Sequence, residues 1–373
     1  MKIERIEIRK IYIPFLEPFT TSGWTETGNS SIIVRIDMDG AAGWGETPVS
    51  KQPFYNEETT GTAWSVMKEI LIPLLFKNKF EIENILEDFP GIFSSVRGNK
   101  MAVSGLELAV WDLLGKIKQT SLSQMLGGTK VKVDAGVSIS IQENLSLLLN
   151  SIENYLSEGY KRIKIKIKPG WDTKPVYEIR KRWKNILLQV DANSAYNLND
   201  AAHLRSLDEF NLLLIEQPLA HDDLYEHSVL QNKIKTPVCL DESITSIQQA
   251  KSAIAMHACK IINIKPTRVG GLINARKIHN IAEANDVPVW CGGMLETGIG
   301  RAFNVALASL SNFKLPGDIS ASKRYFQNDI VLNPFELNND GTLTVPDKPG
   351  SGAIIDEKFL EKITLEKLIF SQK

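Results

Sequence analysis

Five charged residues, Lys166, Asp191, Glu216, Asp241 and Lys265, follow one another at intervals of 25, 25, 25 and 24 residues. Each closes a short, nearly apolar run: Arg162-Ile-Lys-Ile-Lys166, Ile186-Leu-Leu-Gln-Val-Asp191, Asn211-Leu-Leu-Leu-Ile-Glu216, Pro237-Val-Cys-Leu-Asp241 and Lys260-Ile-Ile-Asn-Ile-Lys265. Runs of this length, bounded by polar or turn residues, read as buried strands of a parallel sheet. The intervals leave room for one helix and two short loops between neighbours. An unpaired charge at the end of a buried strand is costly, so five in succession need a reason. Strand–helix units of equal length put all five ends on one rim of a barrel, the rim where (β/α) barrels carry their active sites.

The rest of the chain fits that frame. Alternation of period two over Ile3–Ile13 and Ser30–Met38, with the Asp39-Gly40 turn before Ala41–Glu46, predicts an antiparallel N-terminal sheet. Helices follow over Glu57–Phe76, Glu81–Leu86 and Asn99–Ile117, the last with Val103, Leu106, Val110 and Leu113/Leu114 on one stripe. Sheet then helices indicates an α+β capping domain over residues 1–128. From Val131 the order becomes βαβα. Val133–Ser138 is strand one, Val287–Gly292 strand seven and the short Phe313–Asp318 strand eight. Helices are expected over Leu145–Glu158, Asp172–Trp183, Leu198–Leu207, Leu224–Gln231, Ser246–Met256, Leu272–Ala284 and Ile299–Leu310. The prediction is an α/β chain whose catalytic part, 129–325, is a modified (β/α) TIM-type barrel. The tail, 326–373, contains strand and turn signals, ends in a charged helix and returns to the N-terminal domain.

Composition sets limits on partners. A net charge of −1 with basic residues spread along the chain leaves no electrostatic footprint for nucleic acid. The apolar stretches are too short to span a bilayer. The N-terminus alternates charge with Ile and lacks the apolar core of a signal peptide. Cys239, Cys259 and Cys291 have no CxxC spacing and read as core thiols of a cytoplasmic protein. The five histidines, His203, His221, His227, His257 and His279, fall in helices or adjoining loops and read as structural.

Alternation along strand two packs Ile163, Ile165 and Ile167 outward and points Arg162, Lys164, Lys166 and Lys168 into the barrel. A solvated edge would explain such lysines in an open sheet, but a closed barrel has no edge. Asp191, Glu216 and Asp241, one on each of three successive strands with no His or Cys nearby, suit Mg²⁺ or Mn²⁺. Helix capping would account for any one of these carboxylates, less easily for three at equal spacing. Asn193, Glu242 and Asn263 are candidate hydrogen-bond partners that orient those ligands or Lys265. A lysine accepts a proton only when neutral, and a neighbouring cation such as Lys164 depresses its pKa. A metal flanked by lysines thus points to removal of the proton α to a carboxylate. Candidate contacts for that carboxylate substrate are Ser138 at the end of strand one, Gly292, Gly293 and Met294 at the end of strand seven, and Ser22 and Trp24 in the Gly-punctuated segment Pro18–Gly28. For Trp24 and Met294, packing against the protein's own core is the competing reading.

These residues closely resemble the muconate-lactonising subgroup of the enolase superfamily. The resemblance is carried by Lys164-Ile-Lys166, Asp191-Ala-Asn-Ser-Ala-Tyr196, Ile215-Glu-Gln-Pro218, Cys239-Leu-Asp-Glu242, Asn263-Ile-Lys265, Arg268-Val-Gly-Gly271, Trp290-Cys-Gly-Gly-Met294 and Pro316-Gly-Asp-Ile-Ser320. The last four look like the branch of o-succinylbenzoate synthases and N-acylamino acid racemases. Gly292 stands where a mandelate-racemase-like enzyme would need His. The resemblance implies Mg²⁺ on Asp191, Glu216 and Asp241, Lys166 as general base and acid, and Lys164 tuning it. Lys265 would be the opposite-face acid/base in racemisation, or a cation beside the enediolate in dehydration. It further implies an even-numbered homo-oligomer and a substrate of menaquinone synthesis, with dipeptide epimerisation a more distant alternative. Outside these chemistries, a metal-bound barrel that only binds a carboxylate ligand remains as a non-enzymatic reading.

Overall fold

The computed structural model describes residues 3–78 and 84–371. Strands β1 (Arg5–Thr20), β2 (Thr25–Met38) and β3 (Ala41–Pro48) form the expected antiparallel meander. Asp39 and Gly40 both take positive φ, 54° and 71°, as a tight hairpin turn between right-twisted strands requires. The helix expected over Glu57–Phe76 runs as Thr60–Val66, a π-turn at Met67–Leu71, and Ile72–Lys77. Pro73 has no N–H to return to the carbonyl one turn back, and the ladder widens just before it. The helix expected from Glu81 begins outside the described residues; within them it runs Ile85–Ile92. Lys100–Ile117 is buried on most of its circumference because it lies between the sheet and the barrel.

The first expected barrel strand is two short ones. β4 (Lys132–Asp134) pairs antiparallel with a later strand, and β5 (Gly136–Ile139) enters the barrel. There it begins a parallel sheet that continues through β6 (Arg162–Lys166), β7 (Leu187–Asp191), β8 (Ile215–Glu216), β9 (Val238–Leu240), β10 (Ile261–Ile264) and β11 (Val289–Cys291). The eighth strand survives only as single parallel bridges, Phe313 with Val289 and Gly317 with Ala135. Pro316 cannot donate to a ladder, which keeps the segment irregular. Its neighbours nevertheless carry the sheet round: Gly136 N–H donates to Gly317 at 2.8 Å and Asp318 N–H to Cys291 at 2.9 Å.

Two features of the chain differ from expectation. Lys168 is exposed rather than inside the barrel, because β6 ends at Lys166 and the chain turns at Gly170, where Trp171 N–H bonds the Lys168 carbonyl at 2.8 Å. The tail, after β12 (Thr342–Thr344, the partner of β4), ends in a short helix, Glu357–Ile363, and then a strand, β13 (Thr364–Ser371). β13 pairs antiparallel with β1 and makes the N-terminal sheet four-stranded, order β13-β1-β2-β3. The edge of β1 offers unpaired backbone groups, and the Leu365–Phe370 segment, extended, satisfies them better than a last turn of helix could.

The three cysteines are buried and unpaired. His227 and His279 accept backbone N–H groups of Leu219 and Asn312, a structural use. Among the described residues no helix is long and apolar enough to cross a membrane.

Candidate active site

Strand alternation and register assemble the site. Arg162, Lys164 and Lys166 share the inward face of β6, while Ile163, Ile165 and Ile167 are buried in the surrounding core. Parallel register sets Lys166 beside Asp191 and Asp191 beside Glu216. Asp241 follows β9 and Lys265 follows β10, so the two lysines stand on opposite sides of the barrel with the carboxylates between them. All five of the spaced charges are buried. Below them Leu214, Cys239, Ile261 and Trp290 form a separate apolar cluster, and the Trp290 ring lies 5.0 Å from the Lys164 ammonium.

Each carboxylate is paired with at least one cation. Lys166 Nζ lies 2.6 Å from Asp191 Oδ2 and donates to Asn193 Oδ1 at 2.8 Å. Lys164 Nζ stands 2.9 Å from Glu216 Oε2 and 3.2 Å from Asp191 Oδ2. Lys265 Nζ lies 2.8 Å from Asp241 Oδ2, and Arg268 pairs with the other oxygen of Asp241. The remaining candidate partners fall where the sequence suggests: Asn263 Nδ2 donates to Glu216 at 2.8 Å, and Asn193 Nδ2 to Glu242 at 2.8 Å.

The charges shift one another strongly. Burial works to lower Lys164, yet Asp318, Glu216 and Asp191 outweigh it and hold the ammonium above its ordinary value. Lys265 is likewise raised against burial, by Tyr55, Glu242 and Glu216. Burial works against the charge of Asp191, but Lys166 and Lys164 keep it well below the carboxylate range. Glu216 moves the other way, raised by burial and by the charge of Asp191 beside it. Glu242 is raised by burial and Asp191 in the same manner.

Among the described residues no three carboxylate, histidine or cysteine side chains stand close enough to hold a metal ion as they are, since lysines and Arg268 take up their oxygens. The donor set is nonetheless of the right kind for a hard divalent cation: three carboxylates from β7, β8 and the end of β9, two of them abreast and mutually repelling. Asn263 Oδ1 and Glu242 Oε2 are buried nearby without a partner.

The candidate substrate contacts divide. Trp24, Ser138, Gly293 and Met294 line one cavity together with Lys164, Lys166 and Lys265. Trp24 is presented by a turn in which Thr21 bonds its backbone at both ends. Ser22 does not line that cavity; its hydroxyl donates to the Ile167 carbonyl at 2.8 Å and ties the capping segment to the barrel rim. Gly292 stands behind the lining, where a Cβ would come 2.3 Å from Asn263 Oδ1 and 2.7 Å from Lys265 Cε. Its bareness makes room for those side chains rather than for a ligand.

Sequence reasoning gave no part to three residues that the structure brings in. Tyr55, from the loop after β3, accepts from Lys265 at 3.1 Å and from Arg268 at 3.0 Å, with its ring edge-on to Trp24 at 6.5 Å. Arg268 follows Lys265 by one turn. Asp318, from the irregular eighth strand, pairs with Lys164 and Arg162. A loop tyrosine carries no periodic signal, whereas Arg268 and Asp318 were visible in their motifs without a partner to explain them.

Comparisons with known proteins show the family. Residues 5–127 match the mandelate racemase / muconate lactonizing enzyme N-terminal domain, and 148–359 the enolase C-terminal domain-like family. The chain is 46% identical over 365 residues to an o-succinylbenzoate synthase of Geobacillus kaustophilus, covering 98% of this chain and 96% of that one. It is 43% identical over 369 residues to an N-succinylamino acid racemase of Amycolatopsis, covering 99% of each. A crystal structure of an enolase-superfamily member from Listeria innocua superposes with a TM-score of 0.95 at 40% identity, covering 100% of this chain and 99% of that one. With both domains matched over nearly the whole chain, this protein belongs to the mandelate racemase / muconate lactonizing enzyme family of the enolase superfamily.

Proposed function

We propose that the chain is an o-succinylbenzoate synthase, dehydrating a cyclohexadiene carboxylate for menaquinone synthesis. The observation that carries the chemistry is the placement of Lys166 and Lys265 on opposite sides of the barrel, with Asp191, Glu216 and Asp241 between them. The choice of substrate is supported by relatives of that name at 46% and 45% identity. Asp191, Glu216 and Asp241 would hold Mg²⁺ or Mn²⁺, for which the lysines and Arg268 must release the oxygens they now occupy. Such a cation supplies Lewis-acid stabilisation of the negative charge that develops on a substrate carboxylate. Lys166, in its neutral form, takes the proton α to that carboxylate; the C–O bond to the departing hydroxyl then breaks, and Lys166 returns the proton so that water leaves. Lys265 stays a cation on the far side, beside the enediolate. Trp24 and Met294 wall the remainder of the substrate from water.

A second activity, racemisation of N-acylamino acids, is favoured by the same pair. Lys166 would remove the α-proton from one face and Lys265 deliver one to the other, and relatives named for this reaction reach 43% identity. One protein can carry both reactions because they share the first proton transfer. The test is to assay the purified chain with the diene carboxylate and with N-succinylamino acids, before and after chelation. Dehydration that vanishes in EDTA and returns with Mg²⁺ or Mn²⁺ is the expected result. Full activity in excess EDTA overturns the metal site, and turnover of the amino acids alone makes the chain a racemase.

A further inference from the structure

Beneath the lysines lies an ion chain that the proton transfers do not use. Arg162, one layer below Lys164 on β6, is wholly buried. Its guanidinium donates to the Pro316 carbonyl at 3.0 Å and lies 2.7 Å from Asp318 Oδ1. Gly136 makes room for it, since a Cβ there would stand 2.4 Å from the guanidinium carbon. A buried arginine is costly unless fully partnered, so its presence here needs an account. Asp318 is held by backbone and side chain: its N–H bonds the Cys291 carbonyl and its carboxylate forms an ion pair with Arg162. Its second oxygen pairs with Lys164, the cation that also leans on Glu216 at 2.9 Å and Asp191 at 3.2 Å. Three carboxylates therefore divide one ammonium, and two of them are the residues assigned above to the metal.

We propose that Asp318, fixed by Arg162, is a positioning residue that takes a share of the Lys164 ammonium and so loosens its hold on Asp191 and Glu216, easing its displacement by a divalent cation. The inference rests on the metal reading given above. Without the third carboxylate, Lys164 settles wholly on Asp191 and Glu216 and is a tighter internal counter-ion for a metal to displace. Arg162 matters because an untethered Asp318 could follow Lys164 instead of restraining it.

The measurement is Mg²⁺ affinity of the whole, substrate-free protein by isothermal titration, an equilibrium readout independent of turnover. The charge-balanced pair Arg162→Met with Asp318→Asn removes one cation and one anion, so a simple change of field largely cancels and the fold is spared an unpaired buried arginine. The expected result is a Kd raised about tenfold or more, the scale of one close charge pair. The single change Asp318→Asn should do the same, and its effect should shrink below about threefold when Lys164→Met is already present, because the two act through one contact. An unchanged Kd in the balanced pair, or an equal loss with and without Lys164, overturns the proposal. A parent protein that binds no Mg²⁺ overturns the metal reading itself, and that is seen before any variant is compared.

Discussion

A methyl group at position 292 would meet Asn263 Oδ1 at 2.3 Å and Lys265 Cε at 2.7 Å, so Gly292→Ala must push one of them aside. If, as proposed, Lys265 is an acid/base only in racemisation, that reaction should fall about a hundredfold, a cost that misplacing a reacting group by an ångström can carry. Dehydration, where Lys265 serves as a cation, should fall less, and circular dichroism should show the fold unchanged. Equal losses in both reactions would mean that the two lysines do not divide the work as assigned. Lys166→Ala poses the complementary test: exchange of the substrate α-proton in deuterated water should stop while ligand still binds in a calorimeter, and persistent exchange would remove Lys166 as the base. At this scale the sequence was informative wherever strand register dictates position. Lys166, Asp191 and Glu216 stand abreast because parallel pairing allows little else. Tyr55 and Asp318 come from a loop and an irregular strand, where no period announces which way a side chain points. Lys168 was misplaced for a related reason, since alternation says nothing about where a strand stops.

Two barrel helices start on carboxylates of the capping domain. Glu46 on β3 accepts from Thr297 Oγ1 at 2.6 Å and Gly300 N–H at 2.9 Å, seating itself on the start of the helix Gly298–Ala308. Glu107, on the helix Lys100–Ile117, does the same for Leu272–Glu283 by accepting from Ile273 N–H at 2.9 Å. A helix N-terminus favours an anion, yet both carboxyls are raised because burial dominates, Glu107 from 4.5 to about 7. The folded state therefore holds this proton more tightly than the unfolded chain does. Its contribution to stability is fully present below about pH 4.5, and is lost as pH rises toward 7, a difference of about 3 kcal/mol. One oxygen, Oε1, accepts from both Ile273 N–H and Trp111 Nε1–H, so Glu107→Gln keeps both bonds and cannot ionise. Urea unfolding at several pH values should show the variant gaining on the parent between pH 5 and 7.5, and parallel curves would refute the shift. The elements themselves were largely legible, because helix and strand periods differ. The place of the eighth strand was legible, but not its reduction to single bridges around Pro316, and β13 was not, since it depends on a partner, β1, more than 350 positions away in the chain.

Over the whole molecule, the cavity lies where three capping contacts meet the barrel rim. Ser22 reaches the Ile167 carbonyl, Ile141 N–H bonds the Thr20 carbonyl at 2.9 Å, and Tyr55 lies on Lys265. The proposed metal would touch only barrel residues, whereas the cavity proposed for the substrate is lined by Trp24 and Tyr55 on one side and Lys166 and Met294 on the other. Metal and product should therefore stabilise different parts. Mg²⁺ alone, at a hundredfold excess over its Kd, should raise the unfolding free energy by about 2.7 kcal/mol, through mass action on the native state. It should leave the exposed Lys51, in the loop that carries Tyr55, as open to trypsin as before. Product with Mg²⁺ should slow that cleavage as well, because ligand contact with Tyr55 holds the loop against the rim. If Mg²⁺ shifts neither unfolding nor cleavage, Asp191, Glu216 and Asp241 do not hold a metal. If product with Mg²⁺ stabilises the chain yet leaves cleavage after Lys51 unchanged, the substrate is bound by the barrel alone, and Tyr55 and Trp24 have no part in choosing it.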